Sequence, residues 1–159
     1  MTKIITDNSI VDSAFEVVAD DVTDVSRPNQ ILPLQVYLAN YEMLADRDDV
    51  GVWLDADDEV ETLEGKTSCA VIALNFPAFN DGRAYSSANM LRRQFGFSGD
   101  LLAIGDVRRD QLEQMLRCGF TSFQMADGQD IDAALAGLRG FSENYQTTAD
   151  KPTPLFRRR

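Results

Sequence analysis

The stretch from Cys69 to Met125, running through CAVIALNF (69–76), DLLAIGD (100–106) and TSFQM (121–125), decides the fold. Two segments of helical period, Ala84–Phe95 and Asp110–Cys118, separate these three short apolar runs. The runs read as strands covered on both faces, and strands of that kind alternating with helices give βαβαβ with a parallel sheet. LRRQFGF (91–97) and MLRCGF (115–120) echo each other, since each helical segment ends at a Gly that is followed by a Phe. The echo marks repeated βα units, as in half of a βα barrel or in an open doubly wound sheet.

Upstream, VGVWLD (50–55) adds a fourth strand, so the expected fold class is α/β with a mainly parallel sheet of about four strands. Asp57–Glu64 reads as an acidic loop or short helix. Pro33–Ala45 carries Leu34, Leu38, Tyr41 and Ala45 at helical spacing behind a Pro in the first turn, which predicts an amphipathic helix. Lys3–Thr6, Ile10–Val11 and Phe15–Val18 form a short N-terminal β segment, with a hairpin among its arrangements. Downstream, a helix is expected over Asp130–Phe141 with Asp130 as its N-cap. Residues 1–145 then form a single α/β domain, and 146–159 a polar tail, expected to be flexible, ending in Phe156-Arg157-Arg158-Arg159, which reads as partner-binding, as solubilising or as expression-vector residues. A four-stranded half barrel leaves an edge to be covered either by the N-terminal strands or by a second copy in a homodimer.

The chain has 159 residues and is 44% hydrophobic, enough to bury a core without metal or disulfide staples. It contains no histidine and only two cysteines, Cys69 and Cys118, far apart. Zinc sites built on His, His acid–base chemistry and four-Cys clusters are thereby excluded. Cys69 opens a strand and Cys118 closes a helix, so both read as small buried apolar residues. The acidic run Asp20, Asp21 and Asp24 lacks the pattern of a calcium loop and reads as solvated, and no metal site is expected. The net charge is −11, with 16 acids against 3 bases in residues 1–65 and 10 against 12 in residues 66–159. That distribution argues against nucleic acid and anionic membranes and suits docking to a protein or plain solubility. No apolar run spans a bilayer and MTKIITDNSIVDS lacks the form of a signal peptide, so a cytoplasmic location is expected. GFSGD (96–100) precedes a strand instead of joining a strand to a helix, so no dinucleotide loop is encoded and the cofactor stays unknown.

Ligand sites of parallel α/β proteins lie at the C-terminal ends of the strands. That rim holds Asn75 and PAFNDGRAYSS (77–87), then Asp106-Val107-Arg108-Arg109-Asp110, then Met125-Ala126-Asp127-Gly128. Arg83, Arg108 and Arg109 at helix N-termini oppose the helix dipole and need an offset. One offset is local, with Asp81, Asp106 and Asp110 capping helices and pairing with the arginines. The other is a bound anion, a sulfur oxyanion or phosphate, held by Arg83, Arg109 and Arg108 with help from Asn75 and Ser86 or Ser87. If the rim is catalytic, Asp106 or Asp81 is the general base and Tyr85 the proton donor.

The segments FPAFNDGRAYS (76–86), GDVRRDQL (105–112) and RCGF (117–120) resemble a bacterial family of unknown function, domain of unknown function 934, over residues about 33–142. Members are described as oxidoreductases of sulfite reduction, a label resting on genes that neighbour the one for the sulfite reductase haemoprotein. The resemblance implies an accessory protein of assimilatory sulfite reduction, with that haemoprotein as partner and a sulfur oxyanion as candidate ligand. An enzyme with a borrowed cofactor and a purely structural interaction protein are the alternatives, and a colourless preparation is expected.

Overall fold

The computed structural model describes residues 2–139, so the tail from 146 and the end of the last expected helix lie outside the described residues. An N-terminal hairpin, β1 (Lys3–Thr6) and β2 (Ser9–Asp12), turns at Asp7 and Asn8, both in the left-handed region. Strands β3 (Glu16–Val17) and β4 (Gln30–Pro33) follow, then helices α1 (Leu34–Ala39) and α2 (Tyr41–Leu44), and β5 (Val50–Leu54). The remainder alternates β6 (Val71–Phe76), α3 (Arg83–Arg93), β7 (Asp100–Gly105), α4 (Leu112–Cys118), β8 (Ser122–Phe123) and α5 (Ile131–Arg139). Asp130 caps α5, its Oδ1 accepting from the Asp132 and Ala133 amides.

All eight strands lie in one sheet, in the order β2-β1-β8-β7-β6-β5-β4-β3. Strands β3 to β8 are mutually parallel and in chain order, while β1 joins antiparallel to β8 with Ile5 opposite Phe123. The expectation of about four strands is corrected to eight. Gln30–Pro33 is a fully buried strand that ends on the Pro expected inside a helix, and the hairpin joins the same sheet through β8.

The side chains divide cleanly by face. Leu32, Val52, Ile72, Leu74, Leu101, Ala103 and Phe123 pack with residues from every α-helix in one large core. The alternate residues Ile31, Val71, Ala73, Leu102 and Ile104 form a second, smaller cluster with Phe15, Val17 and Trp53. Helices on one face only, with strands in sequential order, belong to a sheet that curls as a half barrel. The concave face is plugged by the chain between β2 and β4, whose Val18 carbonyl accepts the Trp53 indole N–H at 2.9 Å.

Two features hold the strand ends in place. Arg92, half-buried at the end of α3, donates to the carbonyls of Phe97, Gly99 and Gly119 at 2.8–2.9 Å and lies over the Phe97 ring. At the opposite end Gly105 has φ +89°, and a Cβ there would meet Asn75 Oδ1 at 2.3 Å and the Phe76 carbonyl at 2.4 Å. This close approach brings the Asp106 amide onto the Phe76 carbonyl at 2.7 Å and fixes where the next side chain emerges.

Candidate functional site

At the ends of β6 and β7 the strand C-terminal rim carries two groups of side chains and a cleft. The first group is a clasp. Asp81, in the connection after β6, receives the Arg83 guanidinium on both carboxylate oxygens, with Nη2–Oδ2 at 2.6 Å, and also the Arg83 amide at 3.1 Å. The free end of the same guanidinium reaches Asp57, after β5, at 2.6 Å. Hydrogen bonds from Arg83 hold the Asp81 carboxyl down at about 2, and both carboxylates push the guanidinium further above its ordinary range.

The second group is built around Phe79. Asp106 Oδ2 accepts the Phe79 amide at 3.0 Å, Gln111 donates its side-chain amide to the Phe79 carbonyl, and the Arg108 guanidinium carbon sits 4.8 Å from the ring centroid. Arg108 also donates to Asp106 at 3.0 Å, which lowers the Asp106 carboxyl below its ordinary value. Phe79 is thus held at its amide, its carbonyl and its ring, yet remains 54% exposed. The loop that carries this solvent-facing aromatic is already ordered, and ordering a free loop is a main cost of binding. Val11 and Met43, the other large exposed hydrophobics among the described residues, are aliphatic.

Arg108 and Arg109 line a polar cleft of about 250 Å³ with Asp110, Gln129 and Asp130. The Arg109 amide faces Gln129 Oε1 at 3.5 Å, and its guanidinium makes no ion pair with a described carboxylate. Arg83 does not line this cleft, so two of the three sequence-derived arginines share a cavity and the third belongs to the clasp.

Asn75 donates to Asp55 Oδ1 at 3.0 Å across the ends of β5 and β6. Ser86 is exposed on α3 and makes no capping bond. Tyr85 turns into the helix layer, its ring edge-on to Phe76 at 5.2 Å, and burial raises its phenol. Neither Asp81 nor Asp106 is hydrogen-bonded to it. Among the described residues no group of three or more His, Cys, Asp or Glu side chains is arranged to hold a metal, and no helix is long and apolar enough to cross a membrane.

Residues 51–156 match the family model described as bacterial protein of unknown function (DUF934). The chain belongs to this family. Neither the curated proteins nor the solved structures gave a match. The DUF934 region takes in β5 to α5, and with them both side-chain groups of the rim and the Arg108–Arg109 cleft.

Asp106 and Arg108 are site candidates on the sequence alone, whereas Phe79 and Gln111, which give the second group its shape, stand in the motifs FPAFNDGRAYS and GDVRRDQL with no role attached. A signal for Phe79 existed: in FPAFNDGR a lone aromatic sits next to Asn-Asp-Gly, outside any strand or helix stripe, where a buried role is hard to satisfy.

Proposed function

We propose that this DUF934 protein is a cytoplasmic accessory protein of assimilatory sulfite reduction, acting by docking its strand C-terminal rim onto the sulfite reductase haemoprotein. The observation that carries the docking mode is Phe79, exposed on a loop that Asp106, Gln111 and Arg108 hold in place. Aromatic residues and arginines dominate the energetics of protein interfaces, and a pinned pair of this kind loses little freedom on association. The assignment to sulfite reduction is supported by the resemblance in FPAFNDGRAYS, GDVRRDQL and RCGF. The catalytic alternative is less favoured. Asp81 and Asp106 are both committed to arginines that keep them ionised and weakly basic, whereas a general base works best with a pKa near the operating pH.

A second reading has its own support: the Arg109 guanidinium, unpaired with any described carboxylate, lines the cleft it shares with Arg108, and a small sulfur oxyanion is the ligand such a guanidinium takes, with Asp110 and Asp130 in the same lining opposing it.

Passing purified protein over immobilised haemoprotein at low salt tests the docking reading. Retention that fades as salt rises is expected, and passage without retention overturns it. Titrating sulfite against the arginine Nε–H signals in NMR tests the second, with movement at Arg109 expected and a flat response contradicting it.

A further inference from the structure

A groove of about 360 Å³ opens at the C-terminal ends of β4 and β5, walled by Pro33 and Trp53 on its apolar side and by Asp20, Asp55, Asp57 and Asp58 on the other. Of these four carboxylates only Asp57 has a cationic partner among the described residues, Arg83. The lining therefore offers an aromatic wall beside uncompensated negative charge, which suits an aromatic–arginine segment.

The chain carries such a segment. Residues 151–159, KPTPLFRRR, hold four cations and no acid, in a protein whose net charge is −11. The DUF934 match runs through Phe156, so residues 151–156 fall within the family pattern and the three arginines 157–159 follow it. The described part of α5 runs to Arg139, and the 20 residues 140–159 have a contour of up to about 70 Å. A domain of this size has a radius of gyration near 15 Å, so the groove is within reach. A tether of that length supplies an effective concentration on the order of millimolar, at which even a weak contact is populated.

We propose that the C-terminal segment 151–159 docks in the groove at Trp53 of its own chain, Phe156 against the apolar wall and Arg157–Arg159 toward Asp20, Asp55 and Asp58. Docked there, the segment covers the acidic part of the rim and leaves the Phe79 group uncovered.

Trp53 is the only tryptophan and reports on the groove directly. In the full-length chain, R157Q/R158Q/R159Q is expected to raise acrylamide quenching of Trp53 about twofold at low salt, the contact being electrostatic. Unsubstituted protein in high salt is expected to behave like this variant. A synthetic peptide of residues 150–159 added to the variant is expected to reverse the change saturably, and D55N/D58N to abolish the peptide effect. Far-UV circular dichroism checks that each variant is folded. Equal quenching in wild type and triple variant at low salt, with no response to the peptide, overturns the proposal. A quenching difference that grows with protein concentration overturns the intramolecular assignment in favour of contact between copies. No partner protein is present in these measurements, so their failure leaves the docking role of Phe79 standing.

Discussion

Phe79 shows how a single exposed side chain can be structurally expensive to place and yet contribute little to stability. Its ring stacks on Arg108 and is 54% exposed, so Phe79→Ala is expected to change unfolding free energy by no more than about 0.5 kcal/mol, measured by urea denaturation. Arg92 is the opposite case. Arg92→Met leaves three carbonyls without their donor and is expected to cost on the order of 2–3 kcal/mol in the same assay. Asp81 gives a pH signature. Its carboxyl is held at about 2 against an ordinary 3.8, so its contribution is complete above about pH 4 and is lost as pH falls through about 2. An NMR titration of the Asp81 carboxyl carbon should find that low midpoint in the native protein, and Arg83→Gln should return it toward the ordinary value. The D-x-R spacing of Asp81–Arg83 and Asp106–Arg108 was legible in the sequence. Asp57, 26 residues from Arg83, was not, because nothing local announces a contact made only when β5 and β6 lie side by side.

Elements whose stability is written locally are the ones a sequence reveals. β5, β6, β7 and the helices α3 and α5 follow from apolar runs, helical stripes, terminal Gly residues and the Asp130 cap. β4 does not, because a four-residue strand ending in Pro owes its existence to neighbours already in place, and β3, which falls within the expected β stretch Phe15–Val18, takes its parallel partner β4 only from the tertiary fold. The hairpin β1–β2 was readable as a hairpin, but its pairing with β8 joins Ile5 to Phe123 across most of the chain, and that register is a tertiary choice. Gly51 on β5 illustrates how tightly the concave face is closed: a Cβ there would fall 2.3 Å from Val71 Cγ1 and 2.8 Å from the Val71 carbonyl. Gly51→Ala is expected to destabilise by about 1–3 kcal/mol, read as a lowered midpoint in thermal unfolding.

At the scale of the whole molecule, the half barrel converts a charge imbalance along the chain into one across a surface. Asp20, Asp55, Asp57 and Asp58 gather at the ends of β4 and β5, whereas at the end of β7 Arg108 and Arg109 lie among Asp106, Asp110 and Asp130 and the charge is mixed. The rim presents Phe79 stacked on Arg108, which favours a partner surface with an apolar pocket able to take an aromatic ring and a guanidinium edge. The most direct measurement is the affinity of the purified protein for the sulfite reductase haemoprotein by isothermal titration calorimetry, wild type against Phe79→Ala. The account predicts saturable binding that weakens by about 2 kcal/mol, roughly thirtyfold, on truncation of the ring. Equal affinity for the two proteins, or no heat of binding from the wild type, would contradict it.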